Sequence, residues 1–231
     1  MLWKRIVDFG FHLLYNHLAW SYDIVSWSVS LGEWRTWQLA SLQFVNGPDV
    51  LEIAHGPGHM LPEMAQKGWR VSALDLSPAM SRLARARLRR HGCDGSVSLL
   101  RCQIPDMPFR AESFDSILSQ FPTNFIFQPE TLQALNQMLK EGGRLVILPE
   151  GHLTGSGPLR RFIHWLFYIT GQTIGNEKAN RPEKEIDAFW GDIKKLMNAC
   201  GFEIEIHRVR NEKSEATILV ASKAQHLTSN I

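Results

Sequence analysis

Eleven residues, Val50 to Met60, constrain this chain more than any others; they read Val-Leu-Glu-Ile-Ala-His-Gly-Pro-Gly-His-Met. A short apolar run carrying Glu52 gives way to a turn of small residues, Ala54, Gly56 and Gly58, and a helical pattern begins near Met60. Such a strand–turn–helix unit leaves its backbone bare, so that a ligand can come close. A second acid, Asp75, follows 23 residues after Glu52, at the end of the next apolar strand, Val71–Leu74. A bare turn together with a carboxylate for ribose hydroxyls suits a nucleoside.

The turn also restricts which nucleoside. A dinucleotide fingerprint wants a third glycine for close helix packing, whereas Gly56-Pro57-Gly58 is followed by His59, Met60 and Leu61. Glu52 stands before the turn, where it would repel a pyrophosphate and attract a cation. S-adenosylmethionine has a sulfonium and an amino group and no phosphate. At these residues the chain resembles the class I S-adenosylmethionine-dependent methyltransferases, whose first motif runs (D/E)-x-G-x-G-x-G. Ala54 holds the place of the first glycine. It tolerates the turn at negative φ and is strained at positive φ.

The chain has 231 residues, enough for one α/β domain with a full core and some decoration. A net charge of +2 does not argue for nucleic acid as a partner, and none is expected. Cys93, Cys102 and Cys200 are scattered without metal spacing and read as reduced thiols of a cytoplasmic protein. His55 and His59 flank Gly-Pro-Gly and do not share a helix face, so no metal site is expected. Asp8 interrupts the apolar start, which argues against a secretory signal, and no long uncharged run suggests a membrane span.

Strands and helices alternate along the chain. Strands are expected at Val50–Ile53, Val71–Leu74, Val97–Arg101, within Ser113–Gln120 and at Arg144–Leu148. Helices are expected at Met60–Lys67, from Ser77-Pro78 to Arg90, at Pro129–Lys140 before Gly142-Gly143, and at Pro182–Ala199. Phe202–Val209 and Ala216–Ala221 read as a closing antiparallel pair. This order predicts an α/β fold with a doubly wound, mainly parallel seven-stranded sheet. Three further phrases resemble the same family: Asp106-Met107-Pro108-Phe109 with Ser113-Phe114-Asp115, Leu139 to Leu145, and Ala199-Cys200-Gly201-Phe202. The expected organisation is a helical, aromatic arm over 1–45, a methyltransferase domain over 46–223 with an insertion at 151–180 covering the acceptor site, and a tail over 224–231.

The resemblance implies S-adenosyl-L-methionine as cofactor and assigns roles to residues. Glu52 would take its amino group, and the backbone at Ala54, His55, Gly56 and Gly58 would line the methionyl part. Asp75 would accept the ribose hydroxyls, Leu76 and Met80 would flank the adenine, and Gln103, followed by Ile104, would accept from the adenine amino group. Ser119, Gln120 and Phe121 would border the transferable methyl.

Methyl transfer from a sulfonium needs mainly positioning and exclusion of water. A general base helps only a protonated acceptor, for which Tyr22, His152 and His164 are the candidates. No Asn/Asp-Pro-Pro-aromatic motif follows the fourth strand, which disfavours DNA adenine. The arginine run from Arg82 to Arg90 reads as a solvated helix face. Tyr15 to Asp23 and Leu31 to Arg35 resemble the front end of the quinone methyltransferase-like branch, where such a segment folds over the cofactor site. With the apolar stretch Leu159–Ile169, it suggests a small hydrophobic or aromatic acceptor. Arg160 and Arg161 beside that stretch also allow peripheral membrane contact, as for an enzyme of quinones or lipid headgroups. A non-catalytic, cofactor-binding module is the remaining alternative. Acceptor, methylated atom and oligomeric state depend on pocket shape and are not written in such motifs.

Overall fold

The computed structural model describes residues 27–28, 30–154 and 183–224, with the backbone alone over 183–188. Its elements are α1 (Trp34–Ser41), β1 (Asp49–Ile53), α2 (Leu61–Gln66), β2 (Arg70–Leu74), α3 (Pro78–Arg90), β3 (Val97–Leu100), β4 (Phe114–Gln120), α4 (Pro129–Met138), β5 (Leu139–Leu153), α5 (Glu183–Ala199), β6 (Phe202–Arg210) and β7 (Ser214–Lys223). Seven strands form one sheet in the order β3-β2-β1-β4-β5-β7-β6. The first five are parallel, and β7 runs antiparallel between β5 and β6. The expected doubly wound sheet is therefore observed.

Side-chain alternation along the central strands builds two cores, one on each face. Val50, Val71, Leu118 and Val146 pack with Trp37 of α1, Met64 of α2 and Leu88 of α3. Leu51, Ile53, Ile117 and Ile147 pack with Leu135 of α4 and Met197 of α5. Each fully buried side chain of this size stabilises the fold by about 1.5–3 kcal/mol over exposure. Local chemistry starts the helices. Ser77 caps α3 by accepting from the Met80 amide at 3.3 Å, with Pro78 in the first turn. Ala84 and Leu88 are buried while Arg82, Arg89 and Arg90 face outward, as the charge pattern implied.

Two boundaries differ from expectation, both on β5. Helix α4 stops at Met138, before Lys140, because Leu139 is already extended and pairs with Phe114. The Gly142-Gly143 pair then sits in an irregularity of the ladder, between the Phe114–Leu139 and Ser116–Arg144 pairs. At its other end β5 does not stop at Leu148 but runs to Leu153, so His152 belongs to a strand and not to an insertion. Strand β7 supplies the reason, since it pairs with Glu150 through Leu153. A register shift between Ile147 and Glu150 absorbs one extra residue where Pro149 has no N–H to give. Gly151 then lies against Trp37, so closely that an added Cβ would sit 2.2 Å from the indole. Most of the expected arm, the expected insertion beyond Thr154 and the tail beyond Ala224 lie outside the described residues.

Candidate functional site

The turn after β1 is held in a shape that only small residues allow. Ala54, Gly56 and Gly58 all have positive φ, at 56°, 56° and 71°. At Gly58 a Cβ would also lie 2.7 Å from the Ala84 Cβ and 2.8 Å from Leu61, so glycine lets the turn close onto α3. Ala54 carries the strain that the sequence left as one of two possibilities, about 1–2 kcal/mol for an L-residue in this region. The Asp75 carboxylate clamps the turn from the end of β2. It accepts from the Gly56 amide at 2.8 Å with one oxygen and from the Ser77 amide at 2.8 Å with the other. The Arg87 guanidinium donates to the Pro57 carbonyl from α3.

Glu52, Ala54, His55, Gly56, Gln120 and Phe121, all anticipated from the sequence, line one cleft. Trp34 and Gln38 of α1 complete a wall of it. Trp34 stacks on Phe121, with ring centroids 3.9 Å apart and planes at 26°. Phe121 itself has a φ of 50°, a strained position directly at the cleft. Gln38 donates to the Gln120 carbonyl oxygen at 2.9 Å, and Gln120 donates to the Gln38 backbone carbonyl and to Ser41 Oγ.

The cleft is rich in acceptors that lack donors. Glu52 is 3% exposed and its Oε2 has no hydrogen-bond partner. Burial, and secondarily the nearby charge of Asp75, pushes its pKa up to about 8. His55 Nδ1 lies 2.7 Å from the Gly56 carbonyl and must donate to it, which leaves Nε2 as an acceptor. That nitrogen is buried without a partner, and so is Gln38 Oε1. Burial lowers the His55 pKa, outweighing the Asp75 charge and the backbone bond, so the ring stays neutral. A cationic donor in this cleft would satisfy orphaned acceptors and restore the charge of Glu52. The amino group of S-adenosylmethionine fits that requirement.

The other predicted cofactor residues lie around this centre. Leu76, beside Asp75, is 59% exposed, whereas Met80 is buried against Ala79 and Leu83. The ends of β2 and β3 are tied together by Asp75 N to Leu100 O at 3.3 Å and Arg101 Nε to Leu76 O at 3.0 Å. Gln103 just beyond is exposed, and Ile104 packs on the second core. Ser119 is buried, and its hydroxyl donates to the Ile53 carbonyl at 3.3 Å, which couples β4 to β1 and keeps it out of the cleft wall. Tyr22 and His164 lie outside the described residues. Among the described residues no His/Cys/Asp/Glu group of metal-binding size occurs, and no helix is long and apolar enough to cross a membrane. Gln38 was missed from sequence. Its signal was helical spacing, since Trp34, Trp37, Gln38 and Ser41 share one side of α1.

Residues 50–143 match the family described as a methyltransferase domain. The chain is 26% identical over 205 residues to a ubiquinone/menaquinone biosynthesis C-methyltransferase of Psychromonas ingrahamii, covering 82% of this chain and 81% of that one. It is 28% identical over 201 residues to a demethylmenaquinone methyltransferase of Thermobifida fusca, covering 82% and 84%. The fold is similar to that of a Haemonchus contortus phosphoethanolamine N-methyltransferase solved with S-adenosylhomocysteine. The TM-score is 0.57 at 17% identity over 84% of this chain, which spans about half (53%) of that protein's length.

Proposed function

We propose that this chain, a class I S-adenosylmethionine-dependent methyltransferase, methylates a hydrophobic aromatic acceptor of the quinol kind. One observation in the molecule carries the choice of acceptor: the stacked Trp34 and Phe121 rings stand on the same cleft as Glu52. Such a wall offers a flat apolar surface to an aromatic ring, and it offers nothing to a phosphate. The names of the quinone-pathway relatives point the same way.

Bound S-adenosylmethionine supplies an electrophilic methyl group. Glu52 holds the ammonium, and His55 Nε2 and Gln38 Oε1 offer further acceptors. Asp75 takes the ribose hydroxyls with the lone pairs its backbone bonds leave free, and Leu76 offers the adenine an apolar face. Trp34 and Phe121 position the acceptor and exclude water, which is most of what this reaction asks of a protein.

The test is transfer of isotopically labelled methyl from S-adenosylmethionine to a short-chain demethylmenaquinol, with phosphoethanolamine in parallel. Label is expected on the quinol. Label on phosphoethanolamine alone would overturn the acceptor class while leaving the cofactor assignment in place.

A further inference from the structure

Beside the aromatic wall the cleft has a polar group whose sense is fixed by the backbone. Gln38, Ser41 and Gln120 are buried together, and one carbonyl decides how their polar atoms turn. The Gln38 backbone carbonyl can only accept, so Gln120 presents Nε2 to it, at 3.0 Å. The Ser41 hydroxyl gives its proton to the same carbonyl at 2.8 Å, which leaves Ser41 Oγ to accept from Gln120 Nε2, also at 2.8 Å. Gln120 Oε1 is thereby turned toward Gln38, whose Nε2 donates to it at 2.9 Å. The group left over at the end of this chain is Gln38 Oε1. It is buried, on a residue 8% exposed, and has no hydrogen-bond partner. Turning the Gln38 amide over would set oxygen against the Gln120 oxygen, so an acceptor, and not a donor, is held at this place.

This oxygen belongs to the same side of the cleft as the rings. Trp34 and Gln38 are four residues apart on α1, one above the other on a helix face, a spacing that sets Cβ atoms about 5–6 Å apart. Gln120 ends β4 and Phe121 follows it. Helix α1 and the end of β4 are thus joined twice along the cleft, by the stacked rings and by the amide pair. Glu52 and His55 come from β1 and its turn. Of the described residues lining the cleft, only Glu52 can carry a negative charge, and it suits an ammonium. A neutral amide oxygen beside an aromatic surface suits a neutral donor on an aromatic ring. His152, a candidate base in the sequence, lies 3.2 Å from Glu150 instead and is not among the described residues lining this cleft.

We infer that Gln38 is a specificity-determining residue for the methyl acceptor, its Oε1 accepting from a hydroxyl on the ring that lies against Trp34 and Phe121. The inference rests on the quinol reading above. A ring with a hydroxyl at this place satisfies the buried oxygen. A ring with an ether or a carbonyl there sets a second acceptor against it, and both stay desolvated and unpaired. That mismatch is how a polar site rejects an analogue of nearly the same shape. The cleft therefore takes the dihydroxy form of a quinone and turns away the dicarbonyl form. Gln120 and Ser41 are positioning residues, since they keep the oxygen of Gln38, and not its nitrogen, available to the ring.

The experiment uses the full chain saturated with S-adenosylhomocysteine and titrated in a calorimeter with 1-naphthol and with 1-methoxynaphthalene, the same ring without the donor. The wild type is expected to bind the naphthol about 10-fold or more tightly than the ether, although the ether is the more apolar. Gln38→Met keeps the length of the side chain and removes the acceptor. It should bring the two affinities together and leave that for S-adenosylhomocysteine unchanged. Gln120→Met should also lower the preference, because the Gln38 amide loses its fixed sense; a Gln120 that serves packing alone would leave it in place. Equal affinities in the wild type, or a preference retained in Gln38→Met, would overturn the inference alone. Weaker S-adenosylhomocysteine binding by Gln38→Met would give the oxygen to the cofactor's ammonium and overturn it as well. Binding of neither ring by the wild type would overturn the quinol reading, and the inference with it.

Discussion

Replacing Glu52 by Gln should make the free protein more stable and the cofactor complex weaker, with both effects set by pH. The carboxyl ionises near 4.5 when unfolded and near 8 in the fold, chiefly because it is buried and has no cation beside it. The folded state therefore binds the proton more tightly. Stability from this group is complete below 4.5 and is lost as pH rises through about 8. At about 1.4 kcal/mol per unit the full interval is worth about 5 kcal/mol. Glutamine keeps the shape of the protonated acid and does not titrate. The stability difference between Glu52→Gln and wild type should thus be small at pH 5 and grow by several kcal/mol up to pH 8, then level off. Urea unfolding across this range measures it directly. Binding runs in the opposite sense, since the ligand's ammonium lets Glu52 ionise. Near neutral pH the wild type should release close to one proton on binding S-adenosylhomocysteine, seen as a binding enthalpy that varies with the buffer. The variant should release none and bind at least about 30-fold more weakly, the effect of losing one member of a buried charge pair. A stability difference that is flat from pH 5 to 8 would refute the reasoning, because it would mean that Glu52 is already ionised in the free protein.

Three further substitutions probe the site and its support. Ala54→Gly should stabilise the protein by about 1 kcal/mol, by releasing a left-handed alanine, and raise Tm by about 2–4 °C; a lower Tm would contradict the strain at φ 56°. Asp75→Ala should abolish measurable S-adenosylhomocysteine binding in calorimetry while the far-UV dichroism stays native, since it removes the proposed ribose acceptor and the clamp on Gly56 and Ser77 together. Unchanged affinity would misplace the ribose. Gly151→Ala should cost about 1–3 kcal/mol or more by overpacking against Trp37, detectable as a lower urea midpoint with unchanged slope.

What the sequence made legible was local, and what it hid was set by partners far along the chain. The turn after β1 could be read because its constraint, bare backbone between two acids, is written in consecutive residues. Even there the sequence left the φ of Ala54 open, and the fold placed it in the left-handed region so that Gly56 and Gly58 could follow. The Gly142-Gly143 pair looks like a helix stop, yet α4 ends earlier, where Leu139 is already extended and paired with Phe114. Leu148-Pro149 looks like a strand end for the same local reason. The strand continues because β7, some seventy residues later in the chain, supplies the hydrogen bonds, and a bulge absorbs the missing N–H of Pro149. That bulge decides which face Glu150 and His152 occupy, so their pairing could not be read from a spacing of two residues. Gln38 is hidden in the same way, since its importance depends on Gln120, 82 residues away. The residues of the turn after β1, whose constraint lies in consecutive backbone and two nearby acids, are therefore the readable part of this chain. Residues at the antiparallel end of the sheet, Glu150 and His152 among them, take their positions from a register that another strand dictates.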